Sequence, residues 1–399
     1  MSSGGADFAF RLCEQLANRG HSVNVVTSDI PKVATSRDFK ILPVMRSWGW
    51  GDLIRLLEIA RKFAPDVVEI HFSGGIYHHH PMITALPALL KRRLNGVRII
   101  LHIEYPEPIR ASRRLSPTRL IRIGIMFYCG RQNTDYGYGT LLRDSDRVIV
   151  LCDTHVNLLA KHHPDVARKC AIITQPPCIK LCNNTGGQAR QRGRMELNLA
   201  PANTLLAYYG YIYPNQGIET LIKAVELAAR HLPDIRLVLI GGANELVLKS
   251  TNRPHYIQEL KDYTQQLGIS EKVIWTSYFP SDSEQPSVLL RAADIGVLPF
   301  DSGISMHRST FGIVAAHDLP IISTRGEHLE TPFIDGQNVL LYPPKDPQAL
   351  AETIVRLISN PDLQERLRDG VRTMTEKYFN WDKCIEQTLK VFEGNDRSA

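Results

Sequence analysis

Several features that would place this chain quickly are missing, and each absence removes a class of function. Its 399 residues contain no run near the ~20 apolar residues that a membrane-spanning helix needs, and the longest candidate, Leu120 to Tyr128, is broken by Arg122. Cysteine is sparse and unpatterned: the seven residues, at 13, 129, 152, 170, 178, 182 and 384, form no Cys-x-x-Cys pair and no alternation with histidine. That excludes a disulfide framework and any zinc motif legible from spacing, and it leads us to expect reduced thiols, no metal and a cytoplasmic location. Neither sign of charge dominates. With 47 Lys and Arg against 41 Asp and Glu, the excess of +6 favours anionic partners in general and is too small to argue for nucleic acid. The opening residues have neither a charged n-region nor an apolar h-region, so no secretory signal is expected. A full Gly-x-Gly-x-x-Gly fingerprint is also absent.

What is present reads as α/β. Apolar residues make up 43% and charged residues 22%, ordinary values for folded domains, and the length suits two or three of them at about 150 residues each. Short β-branched runs alternate with helical patterns throughout, the signature of parallel sheets built from βα units. Strands are predicted at 23–27, 67–72, 99–103, 148–152 and 171–174, and again at 204–209, 236–240, 273–276, 295–298, 321–324 and 339–342. Between the two sets, Asn183 to Arg194 is rich in glycine, amides and arginine and offers no core face, so we expect a linker there. The resulting division is 1–180, a linker at 181–203, a second domain at 204–378 and a terminal helix at 379–399 that returns to the first domain. Asp346-Pro347 and Asn360-Pro361 each place a capping side chain before a proline at the first helical position.

Ligands of open parallel sheets bind beyond the carboxyl ends of the strands, so those positions carry the candidates. Gly4 and Gly5 open a helix, where unpaired N–H groups favour a phosphate; a plain tight turn serves the same residues equally. His71 and His102 lie on successive strands, either converging on a ligand or simply hydrogen-bonded; His78 to His80 suits a solvated loop. In the second half, Gly210 to Gly217, with Tyr211 and Gln216 inside it, follows a strand and opens a helix. Gly241 repeats the arrangement, and a structural turn again competes with a diphosphate cradle. The richest stretch is Asp301 to Thr310, where Ser305, His307, Arg308, Ser309 and Thr310 precede an apolar helix. Arg308 can grip phosphate oxygens in a fork, with hydroxyl and backbone donors beside it; an N-cap with an incidental arginine is the alternative.

These residues, in this order, resemble the family 4 glycosyltransferases, retaining enzymes of GT-B fold that use nucleotide sugars. The resemblance runs over nearly the whole chain: Gly4-Gly5 before a helix ending Ala17-Asn18-Arg19-Gly20, Ser145 to Val150, Gly210 to Gly217 before Leu221-Ile222-Lys223-Ala224, Ala292 to Pro299, Ala316 to Thr324, Asp335-Gly336-Gln337-Asn338 and Pro343 to Pro347. It implies two Rossmann-like domains facing across a cleft, the acceptor on the first near Gly4, Gly5 and His71. The donor would lie on the second at Gly210, Tyr211, Gln216, Gly217, Gly241, Ser305, His307, Ser309 and Thr310. Arg308 would meet the charge of the departing nucleoside diphosphate and His102 would sit near the reacting sugar. No cofactor beyond the nucleotide-sugar substrate and no divalent metal is implied.

The chain also departs from the pattern. Tyr211 and Gln216 stand where the family has Arg and Lys on the diphosphate, and the Glu-x7-Glu pair falls at Ser305 and Ile313. The sequence instead looks like the subgroup with Gly-x-Ser-x-Arg-Arg-Gly-Thr, with His307 for one Arg and Ser309 for the Gly. The expected activity is transfer of a hexose to a polysaccharide, lipid-linked or small-molecule acceptor. Two alternatives remain: a catalytically weak or inactive protein of this fold that binds a sugar nucleotide or a partner, and a sugar-nucleotide epimerase using Glu327 and Glu330. Lys91 to Arg93 with Arg110, Arg113, Arg114, Arg119 and Arg122, near the apolar Ile125 to Tyr128, suggest peripheral contact with an anionic membrane or a solvated helix face. Finally, the family's first strand should precede Gly4-Gly5, and we expect the first sheet to be one strand short.

Overall fold

A computed structural model describes residues 4–30, 34–109, 117–130, 137–243, 248, 253–280 and 282–395. The chain divides into two compact units, one running to Thr174 and resuming at Trp381, the other spanning Gln175–Asn380.

The first unit comprises α1 (Gly4–Asn18), β1 (Asn24–Ser28), β2 (Lys40–Met45), α2 (Trp50–Phe63), β3 (Val67–Phe72), α3 (Leu86–Arg93), β4 (Arg98–Ile103), α4 (Pro117–Cys129), α5 (Leu141–Asp144), β5 (Arg147–Val150), α6 (Asp153–Ala160) and β6 (Cys170–Ile172). Strands β3, β4, β5 and β6 form one parallel sheet in that order, and β1 pairs in parallel with β2 in a separate two-stranded sheet. Among the described residues no strand joins the two. Sequence reasoning missed β2, because Pro43 inside it demotes a run of this kind; it survives beside a single partner. Alternation sorts the faces of the larger sheet. Ile70, Phe72, Ile99, Leu101 and Ile103 enter a core with Met82, Leu86, Leu90 and Leu141, while Glu69, His71 and His102 face the other way. That second face is covered by α1, through Phe8, Leu12 and Leu16, and by the terminal helix.

The second unit holds α7 (Gln188–Glu196), β7 (Thr204–Tyr209), α8 (Ile218–Ala229), β8 (Ile235–Ile240), α9 (Tyr256–Gln266), β9 (Val273–Trp275), α10 (Gln285–Ala292), β10 (Ile295–Leu298), α11 (Ser309–Ala315), β11 (Ile321–Thr324), β12 (Leu340–Tyr342), α12 (Pro347–Ile358) and α13 (Pro361–Tyr378). Its six parallel strands run β12-β11-β10-β7-β8-β9. The chain order therefore reverses direction between β7 and β10, the doubly wound arrangement with its switch point there. Asp346 and Asn360 cap α12 and α13, accepting from Ala349 N at 2.9 Å and Leu363 N at 3.0 Å. The last helix, α14 (Trp381–Glu393), belongs to the first unit: Trp381 stacks on Phe8 with centroids 5.7 Å apart, and Arg98 Nε donates to Val391 O at 3.1 Å.

The expected linker is a correction. Residues 188–196 form a helix of the second unit, and the unit boundary falls at 174/175 rather than after 180. The composition misleads because the arginines bond to backbone instead of solvent. Arg190 donates to Ala293 O at 2.6 Å and pairs with Asp294, and Arg194 reaches Asn203 O at 2.7 Å. Gly193 is required by close approach: a Cβ there would lie 2.6 Å from Val288 O on α10.

His317, 2% exposed, is held neutral by its bonds. Its Nδ1–H donates to Ile313 O at 2.7 Å, so Nε2 accepts from Ser287 Oγ, also at 2.7 Å. Burial first, and then the nearby Arg291 charge, push its pKa down to about 4 against the stabilising carbonyl bond. The unfolded chain takes up this proton near pH 6.5 and the folded chain does not, so stability is complete above that pH and falls as pH drops from about 6.5 to about 4. This residue accounts for about 3 kcal/mol of that loss. Urea titrations across this range should show the stability gap between wild type and His317→Gln shrinking as pH falls; a constant gap contradicts the assignment.

Candidate functional site

The switch point brings two loops together. The turn after β7 runs from Gly210 (φ 143°) to Gly217 (φ 73°), which opens α8. Tyr208 Oη donates to Tyr211 O at 2.9 Å and fixes its start. The loop after β10 begins at Pro299 and ends at α11. A Cβ at Gly217 would strike Pro299 O, and one at Gly210 would lie 3.2 Å from Thr310 Cγ2. Turn and loop thus approach at both ends of the turn, backbone against backbone at Gly217 and against the Thr310 side chain, at the start of α11, at Gly210. Gly241 (φ 141°), after β8, completes the floor: a Cβ there would overlap the Gly210 carbonyl.

Within the second loop the side chains of Ser302, Ser305, His307 and Arg308 hold one another or a neighbour. Arg308 stacks its guanidinium over the Phe300 ring at 4.0 Å and donates from Nη2 to Ser302 Oγ at 2.6 Å, a stacked, forked geometry suited to an anion. Ser305 Oγ donates to Glu330 Oε1 at 2.8 Å, so its 2.6 Å contact with His307 Nδ1 is a bond that the imidazole donates. Glu330 Oε2 accepts from Met306 N at 2.5 Å. Glu330 is therefore a brace for this loop, a role that no local motif announces 25 residues away. With both oxygens engaged it is poorly placed as the free acid or base that the epimerase alternative asks for. Thr310 Oγ1 is buried and has no partner among the described residues. Gln216 is buried, at 8% exposure, and the Tyr211 ring lies nearly parallel to Tyr278, with centroids 6.5 Å apart.

In the first unit the structure brings His71 and His102 together but not in the expected setting. They are register partners on β3 and β4, and their rings stack with centroids 4.6 Å apart. Glu69 Oε1 lies 2.9 Å from His102 Nδ1 and 3.4 Å from His71 Nε2. Burial works to raise the Glu69 pKa, and the His71 charge with hydrogen bonds from both rings overcomes it, holding the carboxyl well below its ordinary range. Burial works to lower the His71 pKa, and the charge of Glu69 with the bond to it, helped by Glu104, overcomes that and moves it up. The His102 side chain is 1% exposed, closed beneath Phe8, so this geometry gives a direct role at a reacting sugar no support. Gly4 and Gly5 do begin a helix, but Gly5 packs against the Glu104 carboxylate, which already sets an anion at that end. Of the histidine run, His80 caps the turn of helix at Pro81–Ala85 by accepting from Met82 N at 3.2 Å.

Gly241→Ala should lower stability by roughly 1–3 kcal/mol, read as a lower melting temperature. Gly51→Ala, whose new Cβ meets nothing within 4 Å, is the control and should leave the melting temperature unchanged or slightly higher. Equal melting temperatures for wild type and Gly241→Ala would refute the close approach.

Comparison with known proteins fits this picture. Residues 3–172 match the model for the glycosyl transferase 4-like domain, and residues 190–374 match glycosyl transferases group 1. The D-inositol 3-phosphate glycosyltransferase of Xylanimonas cellulosilytica is 28% identical over 209 residues, covering 51% of this chain and 45% of that protein. The Corynebacterium jeikeium protein of the same name is 27% identical over 261 residues, 63% of this chain and 58% of its own length. The chain thus spans about half the length of the curated relatives it matches. Among solved structures, the sucrose-phosphate synthase of Thermosynechococcus elongatus superposes with a TM-score of 0.67 at 18% identity, covering 99% of this chain and 94% of that one. The Anabaena protein HepE in complex with UDP-glucose gives 0.69 at 14% identity, covering 99% and 97%. The chain thus has a GT-B fold, with a first unit similar to the glycosyl transferase 4-like domains and a second similar to the group 1 glycosyl transferases.

Proposed function

We propose that this protein is a glycosyltransferase whose second unit binds a nucleotide-sugar donor at the switch point between β7 and β10, and which transfers the sugar to a polysaccharide, lipid-linked or small-molecule acceptor. The observation that carries the reading is the meeting of the Gly210–Gly217 turn with the Arg308 loop. Departure of a nucleoside diphosphate is the hard step, because charge develops on its oxygens. A guanidinium already oriented by Phe300 and Ser302, beside the partnerless Thr310 hydroxyl, meets that charge without reorganising. HepE, of the same fold, is solved with UDP-glucose, which supports a nucleoside diphosphate here. Retention of configuration, and leaving-group stabilisation by residues rather than a divalent ion, rest on the family resemblance.

Tyr211 and Gln216 favour a second reading, a protein that binds the donor and turns it over slowly or not at all, since two cations of the family pattern are replaced by neutral side chains. Incubating the full chain with a panel of nucleotide sugars separates the two. Donor hydrolysis or transfer that falls about 10²–10³-fold in Arg308→Ala supports the enzyme. Calorimetric binding with no turnover supports the binder, and neither binding nor turnover removes both.

We also propose peripheral contact with an anionic membrane through α4. Leu120, Phe127 and Tyr128 are 61%, 71% and 64% exposed, and Arg92 lies over the Tyr128 ring at 4.4 Å, so apolar and basic groups share one surface. Arg110, Arg113 and Arg114 lie outside the described residues. Co-sedimentation with vesicles containing acidic lipid should drop about tenfold or more in Phe127→Glu; binding that is indifferent to both lipid charge and this substitution would remove the proposal.

A further inference from the structure

Beneath α1 and α14, the inner face of the first unit's sheet gathers groups that neither the proposed reaction nor the fold explains. Glu69 and His71 are two residues apart on β3, and His102 stands directly across from His71 on β4. Strand alternation and parallel register therefore fix all three on one face before any ligand arrives. Each of Glu69, His71 and His102 offers a ligand atom within 4.8 Å of the others, and Glu69 Oε1 lies 2.9 Å from His102 Nδ1 and 3.4 Å from His71 Nε2. Donors bonded at about 2.0–2.1 Å to a tetrahedral cation sit roughly 3.3 Å apart, close to these separations.

One further observation makes a hydrogen-bonded trio an incomplete account. The Glu69 side chain, 15% exposed, has both imidazoles as partners, but each ring is left with a second nitrogen. The outward nitrogens, His71 Nδ1 and His102 Nε2, are buried and without partners among the described residues. Two imidazoles with one carboxylate suit a borderline cation and not a hard one such as Mg²⁺.

We propose that Glu69, His71 and His102 form a binding site for one borderline divalent cation, Zn²⁺ by its donor set, that ties β3 and β4 together beneath α1 and α14. No sequence motif marks it, because its ligands come from two strands about thirty positions apart and meet only through register. The site is separate from leaving-group chemistry in the second unit and stands or falls independently of the proposed activity.

The test is a Co²⁺ and Zn²⁺ titration of the metal-stripped full chain, read by visible d–d absorption and by metal content after gel filtration. One equivalent should bind, Zn²⁺ should displace Co²⁺, and Mg²⁺ should not compete. Affinity should fall at least tenfold in Glu69→Gln and in His71→Asn, with far-ultraviolet circular dichroism unchanged. Chelator should lower the melting temperature of the zinc-loaded wild type and leave the variants unmoved. Should Glu69→Gln fail to fold, His71→Asn, at a side chain 22% exposed, decides alone. Absence of a bound equivalent, equal binding by wild type and variants, or displacement by Mg²⁺ overturns the proposal.

Discussion

The second unit depends on one strand pairing on both edges. β7 bonds to β8 through Thr204 to Tyr209 and to β10 at Leu206 and Ala207, and Leu205 to Tyr208 are essentially solvent-free. A strand locked on both sides cannot slide without carrying its apolar residues out of register. Its carboxyl end is therefore a fixed point, and the Gly210 turn and the Pro299 loop, leaving adjacent strands, are forced to pass each other there. The glycines at 210, 217 and 241 follow from that crowding: each sits at positive φ where a side chain would run into neighbouring backbone or side-chain atoms.

The second unit was the more legible half for a physical reason. Its strands are continuous aliphatic runs bounded by glycine or proline, and strands 204–209, 295–298 and 321–324 are found where the pattern puts them. Its helix starts carry their own capping residues. What escaped was anything decided by partners distant in sequence. The polarity of Asn183 to Arg194 looked like solvent exposure until Asp294 and the carbonyls at the end of α10 supplied acceptors. Pro43 hid β2. Each histidine of the first unit could be seen singly, but Glu69 carried a signal only once β3 was known to alternate, and Glu330 carried none.

Charge is handled differently at the two places that matter. In the second unit the neutral Tyr211 and Gln216 leave Arg308 as a cation fixed in the loop, and the Glu330 carboxylate that reaches that loop is spent on Ser305 and Met306. In the first unit the carboxylate is the centre and the imidazoles surround it. One arrangement is prepared to receive negative charge, the other positive.

The separation of β1 and β2 from the larger sheet has a consequence for how the first unit breathes. A two-stranded ribbon is marginal alone, and most residues of β1 and β2 are only half-buried; beyond the ladder itself, the Trp48 bond to Ser28 at 2.8 Å and the Asp29 amide on Met45 O tie the pair down. The ribbon therefore leans on the core it shares with the larger sheet through Met45, Val26 and Val44, and how firmly its amides are shielded depends on those three side chains staying seated.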